Sequence, residues 1–145
     1  EIIRRNRDGN GFKFYHFAID INGGPCIYKR VSGCGSGFEY IAVTPEGDIY
    51  PCHQFVGNQN FKMGTVFDGA LDQRIMDKFK NAHIYNKDEC SECWAKFYCS
   101  GGCQANNYNS NGDILKPYKL GCMLQRKRIE CALAVKAAAY IDGKR

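Results

Sequence analysis

Several features are missing from this sequence, and each absence narrows the reading. No run of about 18 apolar residues occurs in its 145 residues, so no transmembrane helix is expected. The N-terminus lacks the basic, then apolar, then small-residue order of an export signal. With nothing to mark secretion, the expected location is cytoplasmic. Histidines number three and are scattered, which makes no imidazole ligand set. His53 follows Cys52 directly and is read as an ordinary polar side chain. Asp20, Asp48, Asp113 and Glu130 form no recognisable acid–base pair. There is no internal repeat and no low-complexity segment. The first residue is Glu1 rather than Met, which suggests a piece of a longer chain.

Cysteine is what the sequence has in excess, with nine. Glycine is also frequent, and six of the 16 glycines fall between Gly9 and Gly35. A loop-rich chain of this size needs internal staples beyond its hydrophobic core. The formal charge of +5 could point to nucleic acid. The basic residues cluster only at Arg4–Arg7 and Gln125–Arg128, however, and solvated helix faces or a chain end account for them better. No nucleic-acid partner and no membrane are expected.

The order of elements follows from pattern. A charged helix end opens the chain, followed by a DGNG turn and an expected strand from Phe12 to Ile21. Glycine-rich bends at Gly23–Gly24–Pro25 and at Ser32 to Gly37 carry Cys26 and Cys34. Tyr40 to Val43, the turn Thr44-Pro45-Glu46-Gly47 and Asp48 to Tyr50 make the clearest hairpin, which delivers Cys52 at its end. Phe61 to Gly69 reads as a loop or short strand. Leu71, Ile75, Met76 and Phe79 recur at helical spacing. The cysteine-rich stretch follows with little regular structure expected, then a polar turn at Asn109 to Asp113. A final helix is expected from Met123 to Ile141, with Leu124, Ile129, Leu133, Val135 and Ala137 as its core-facing stripe and Gly143 as its stop. Cys131 on that helix reads as a buried structural thiol.

The stretch CSECWAKFYCSGGC holds four cysteines between Cys90 and Cys103. A disulfide scaffold needs an oxidising compartment, and nine thiols leave one over. Cys90-x2-Cys93 has zinc-knuckle spacing, and Cys99-x3-Cys103 would complete a tetrahedral four-sulfur site. Yet Cys26, Cys34, Cys52 and Cys122 also sit at turns, strand ends or a helix start. Eight thiols so placed suit two four-ligand sites, either zinc ions or iron–sulfur clusters. Gly33, Gly35, Gly101, Gly102 and Gly121 lie close to these cysteines and let backbone N–H groups approach sulfur, which favours clusters. Trp94, Phe97 and Tyr98 would shield the site or, more simply, pack in the core.

The series Cys34-x12-Gly47-x4-Cys52, Cys90-x2-Cys93-x5-Cys99-x3-Cys103 and Cys122 resembles the seven-cysteine pattern of SPASM domains. These are auxiliary-cluster modules of radical S-adenosylmethionine enzymes that modify peptides and proteins. GPCIYKRVSGCGSGFEYIAVTPEGDIYPCHQFVG and CSGGCQANNYNSNGDILKPYKLGC resemble one subgroup, the maturases that install Cys thioether cross-links in six-cysteine (SCIFF) peptides. The resemblance implies two [4Fe–4S] clusters with interleaved ligands. Cys34, Cys52 and Cys103 would hold auxiliary cluster I, with Cys26 as its fourth ligand or with an open iron in its place. Cys90, Cys93, Cys99 and Cys122 would hold auxiliary cluster II. The implied roles are substrate binding and electron transfer toward a cysteine-rich precursor peptide.

One departure bears on activity. The radical S-adenosylmethionine signature C-x3-C-x2-C is absent, since Cys99-x3-Cys103 is followed by Asn106 at the third position. The chain is therefore expected to be inactive alone, with S-adenosylmethionine chemistry confined to the full-length enzyme. Residues 1–22 are expected to be the remnant of the preceding barrel, and residues 23–145 the SPASM domain with its C-terminal helix. The expected fold is small, irregular α+β, scaffolded by metal, with an antiparallel hairpin. The alternative is a zinc-binding module or a rubredoxin-like single-iron protein, with zinc or one iron at the Cys90–Cys103 site.

Overall fold

A computed structural model describes residues 1–21 and 23–143; Asn22, where the expected domain boundary falls, and residues 144–145 lie outside it. The described residues form a small α+β arrangement of seven α-helices, several single 3-10 turns and one three-stranded antiparallel sheet. They divide into two compact units, Glu1–Pro25 with Lys119–Arg145, and Cys26–Tyr118.

In the first unit, helix α1 (Ile2–Arg7) and a 3-10 turn (Tyr15–Phe17) pack on the long helix α7 (Lys119–Asp142). Arg7 pairs with Asp142 at 2.7 Å, and the Arg128 guanidinium donates to the His16 carbonyl. No strand forms between Phe12 and Ile21. The segment pairs with no strand of the described sheet, and an unpaired strand would leave its N–H and C=O groups unsatisfied. Instead Phe14 packs edge-on against Phe17 at 4.9 Å. Helix α7 starts earlier than its pattern suggested and takes Gly121 and Cys122 into its first turn. Its buried face is set by Ile129 and Ala132, whereas Leu124 and Leu133 are exposed. The stripe expected through those leucines is therefore wrong, although its Ile129 is buried. Cys131 is half-buried rather than enclosed.

The second unit is built around the hairpin. Strands β1 (Ala42–Val43) and β2 (Asp48–Tyr50) pair with Ala42 opposite Tyr50, joined by the expected turn. Gly47 donates to the Thr44 carbonyl and takes φ +88°, a conformation that other residues rarely adopt. Strand β3 (Gly64–Thr65) adds to the other side of β2. Helix α3 (Gln73–Lys80) begins at Asp72, whose carboxylate accepts from the N–H groups of Arg74 and Ile75.

The core lies beneath this sheet. Tyr50, Phe55, Phe61, Phe79, Ala82, Ala105 and Ile114 are all buried. Phe55 contacts Phe61 at 4.4 Å and meets Phe79 edge-on at 5.3 Å, and Tyr108 closes the group at 4.7 Å from Phe61. Three further helices appear where little regularity was expected: α4 (Asp88–Ser91), α5 (Lys96–Cys99) and α6 (Gln104–Asn111). The polar sequence of α6 carries no apolar stripe, so pattern alone reads its end as a turn. Buried Asn107 anchors it by donating to the Ile114 carbonyl and accepting from the Tyr118 N–H. Gly112, at φ +72°, caps it. Short helix α2 (Ile27–Ser32) packs on α5.

Candidate metal centre

Two groups of sulfurs emerge within the second unit. Cys34, Cys52 and Cys103 form the first, although they lie far apart in sequence. Cys34 sits between Gly33 and Gly35, both with positive φ, in the bend after α2. That bend is stitched to the hairpin: the Gly37 N–H donates to the Pro51 carbonyl at 3.0 Å, one residue before Cys52. Gly37 lies against Phe79, where an added Cβ would come 2.7 Å from the Phe79 Cβ and 2.8 Å from its ring at Cγ, so the Cys34 bend rests directly on the core. Cys52 is buried at the entrance to the 3-10 turn His53–Phe55. Burial pushes its thiol pKa up, and the charges of Cys103 and Cys34 push the same way. The backbone N–H groups of Gln54 and Phe55 point at its sulfur and oppose the rise. Cys103 stands at the head of α6, and the Gln54 side-chain amide donates to its sulfur at 3.5 Å.

Cys90, Cys93 and Cys99 form the second group, and it is local. Cys90 is buried on α4, the Cys93 N–H donates to the Cys90 carbonyl at 3.1 Å, and Cys99 ends α5. Ser100, Gly101 and Gly102 then take φ values of +56°, +81° and +72° in succession. The two glycine N–H groups thereby turn onto the Cys99 sulfur and lower its pKa, against a larger rise from burial and a further one from Cys93. The expectation that glycine lets N–H groups reach sulfur is met at Gly101 and Gly102. Gly121 lies in the first turn of α7.

The other predicted ligands lie on other elements. Cys26 is exposed at the head of α2, and Cys122 lies in the first turn of α7, in the other unit. The aromatics beside the second group are not core: Trp94 is 52% exposed and Tyr98 is also exposed, while Phe97 is half-buried. His53 accepts or donates a 3.2 Å hydrogen bond with the Tyr40 hydroxyl, which suits a polar supporting role.

The donor set, thiolates with backbone and side-chain N–H groups at sulfur, fits an iron–sulfur cluster. Among the described residues, no three His, Cys, Asp or Glu side chains converge closely enough to hold a single metal. A tetrahedral thiolate ion would draw all its sulfurs within about 2.3 Å of one point. A multi-iron core spreads its thiolates over several metals and accepts N–H donors at sulfur, as found around Cys52 and Cys99. Two residues after Cys34, the buried Ser36 hydroxyl has no partner. It is a spare donor next to a predicted ligand.

Residues 34–94 match the SPASM iron–sulfur cluster-binding domain. The SPASM match includes Cys34, Cys52, Cys90 and Cys93, and so draws on both sulfur groups. A protein of Archaeoglobus fulgidus, described as uncharacterized, is 30% identical over 115 residues, covering 77% of this chain and 26% of its own length. The antilisterial bacteriocin subtilosin biosynthesis protein AlbA of Bacillus subtilis is 30% identical over 94 residues, covering 60% of this chain and 20% of its own length. The chain thus spans about a quarter or less of the curated relatives it matches. No helix among the described residues is long and apolar enough to cross a membrane.

Two supporting residues escaped the sequence reading. Gln54 lies in a polar loop, and Lys87 lies in the charged run NKDE, where a lysine reads as solvated. Neither carries a signal in composition or spacing. Their roles arise only from where the chain folds back.

Proposed function

We propose that this chain is the auxiliary iron–sulfur module of a radical S-adenosylmethionine enzyme that modifies a ribosomally made peptide. The observation that carries the reading is the sorting of the sulfurs. Cys103 stands with Cys34 and Cys52, while its sequence neighbour Cys99 stands with Cys93. A self-contained zinc or rubredoxin-like site would use the sulfurs of Cys90 to Cys103 together. The SPASM match and the likeness to a bacteriocin biosynthesis protein support the same reading.

On this reading Cys34, Cys52, Cys103 and Cys26 hold one [4Fe–4S] cluster, and Cys90, Cys93, Cys99 and Cys122 hold the other. Bound clusters would accept or relay single electrons and, if Cys26 does not ligate, the open iron in its place would take a substrate thiolate. The chain's own residues supply the thiolates, the N–H donors at sulfur and an apolar underside that excludes water. The product class is a Cys thioether in a six-cysteine peptide, and the reaction requires the barrel domain.

Anaerobically reconstituted protein is expected to be brown, with iron and sulfide each near about eight per chain. Zinc without sulfide would overturn the reading. Mixed with S-adenosylmethionine and reductant, the chain alone should release no 5′-deoxyadenosine, and release would show that it is no mere module. In the full-length enzyme, a cysteine-rich precursor peptide should lose one pair of hydrogens per cross-link by mass spectrometry. A peptide left unchanged by an enzyme that still cleaves S-adenosylmethionine would remove the thioether assignment and leave the cluster assignment standing.

A further inference from the structure

Ser36 is 2% exposed, and among the described residues its hydroxyl is the buried side-chain polar group left without a hydrogen-bond partner. A buried polar group with no partner costs free energy, so native proteins rarely keep one. Other enclosed polar side chains follow the rule. Ser32 donates to the Tyr28 carbonyl at 2.9 Å, Asn107 to the Ile114 carbonyl at 3.2 Å, and Lys87 to the Gly101 carbonyl at 2.9 Å. Half-buried Lys96 likewise ties itself to the Ser91 carbonyl at 2.6 Å.

The bend that carries Ser36 is already closed on itself. The Gly35 carbonyl accepts from the N–H groups of Phe38 at 3.2 Å, Glu39 at 2.8 Å and Tyr40 at 3.0 Å. The Gly37 N–H is shared between the Tyr40 carbonyl at 2.8 Å and the Pro51 carbonyl at 3.0 Å. These bonds pin the bend to the hairpin, and Gly37 also lies against the buried Phe79. Swinging the hydroxyl out to water would break them. A hydroxyl fixed in this way needs an acceptor that comes to it.

Its place in the chain says which acceptor. Ser36 stands two residues after Cys34, and its neighbour Gly37 is bonded to the residue just before Cys52. The same spacing recurs at Cys52, where Gln54 lies two residues further on. The Gln54 amide donates to the Cys103 sulfur at 3.5 Å. Two Cys-x-donor segments therefore serve one group of sulfurs. One donor already has a sulfur, and the other is unsatisfied.

We propose that the Ser36 hydroxyl donates a hydrogen bond to a sulfur of the cluster held by Cys34, Cys52 and Cys103. The inference rests on the cluster reading above. A thiol is a weak acceptor, whereas a sulfur of a bound cluster carries negative charge and accepts more strongly. Cluster binding thus gives the orphaned hydroxyl its partner. Adding an electron increases the negative charge on sulfur, so the hydrogen bond strengthens on reduction and raises the reduction potential of that cluster. Cys90, Cys93 and Cys99 lie on other segments, and a cluster there should be indifferent to Ser36.

The test compares anaerobically reconstituted wild type, Ser36→Ala and Ser36→Thr, each also with Cys93→Ala, which leaves the signal of the Cys52 group alone. Readouts are iron and sulfide per chain and the reduction midpoint of each cluster, followed by electron paramagnetic resonance. Electron–nuclear double resonance after transfer to heavy water adds a third, the exchangeable deuterons coupled to the reduced cluster. Ser36→Ala should load fully, lower the midpoint of the Cys52-group cluster alone and lose one coupled deuteron. Ser36→Thr keeps the hydroxyl and should restore both; if its extra methyl prevents loading, the alanine variant still decides. Retention of every coupled deuteron in Ser36→Ala would overturn the hydrogen bond. A midpoint shift of equal size at both clusters would overturn its local action. Wild type that takes up zinc instead of iron and sulfide would defeat the cluster reading itself, and with it this inference.

Discussion

The two sulfur groups lie in one compact unit but are assembled by different means. Cys34, Cys52 and Cys103 come from three distant segments, brought together by the hairpin, the aromatic core and the head of α6. Cys90, Cys93 and Cys99 come from one continuous stretch, shaped by two single-turn helices, a left-handed loop and two lysine ties. The first is a tertiary site, and it should fail when the core fails. The second is a local site, and it should persist until its own loop or its metal is disturbed. In a chain with few long regular elements, bound metal is expected to hold both.

The largest expected effect follows from removing the metal. Metal binding at structural thiolate sites contributes folding free energy of order 10 kcal/mol, far beyond what a sheet of two- and three-residue strands supplies. Chelation of the reconstituted protein under mild oxidation should abolish its cooperative urea transition, followed by near-ultraviolet circular dichroism. An apoprotein that keeps the transition at the same midpoint would show that the hydrophobic core suffices. Cys93→Ala and Cys52→Ala divide the effect: each should lose about half of the iron, but only Cys52→Ala should also loosen the core around Tyr50 and Phe55.

A smaller effect separates the groups without touching a ligand. Phe79 is buried between Phe55 and Phe61, and Gly37 of the Cys34 bend lies against it. Phe79→Ala should cost about 3–5 kcal/mol, as other buried Phe truncations do. During a urea titration, iron bound by the Cys52 group should then be released before iron bound by the Cys93 group. Simultaneous release would mean that the two sites unfold as one, and the contrast between tertiary and local assembly would be lost.

How much of this was legible in the sequence also differs between the groups. The hairpin was readable because Thr44-Pro45-Glu46-Gly47 demands a turn and the flanking residues alternate, and the two segments pair as antiparallel strands. Helix α3 was readable from Ile75 and Phe79 in the same way. Helix α6 was not, because it is held by Asn107 and its cap rather than by an apolar face. The strand expected at Phe12 to Ile21 failed differently: suitable residues were present, but the segment pairs with no strand of the described sheet. At the metal centre, cysteine spacing was visible at once, while Lys87 and Gln54 were not. Their types carry no signal until a buried Nζ meets the Gly101 carbonyl and an amide meets the Cys103 sulfur.

The smallest expected effect is electrostatic and again lies on the tertiary side. Asp72 caps α3, the helix that delivers Phe79. The Arg74 side chain holds the Asp72 carboxyl below its usual pKa, opposed by desolvation and helped by the N–H groups of Arg74 and Ile75. A carboxyl whose pKa is depressed by folding stabilises the native state above its unfolded pKa, and that contribution fades as pH falls through the folded value. The window therefore opens near pH 4 and extends downward, since an unperturbed Asp titrates at about 3.9. Asparagine caps helices about as well as aspartate, so Asp72→Asn should remove the charge but keep the cap. Thiolate protonation also weakens metal binding in acid, but it is common to wild type and variant and cancels in their difference. In urea denaturation the two proteins should differ slightly at pH 6, and the difference should shrink toward zero as pH falls below 4. A difference that is constant across this range would show that Asp72 acts as a neutral cap, leaving α3 and the site above it independent of its charge.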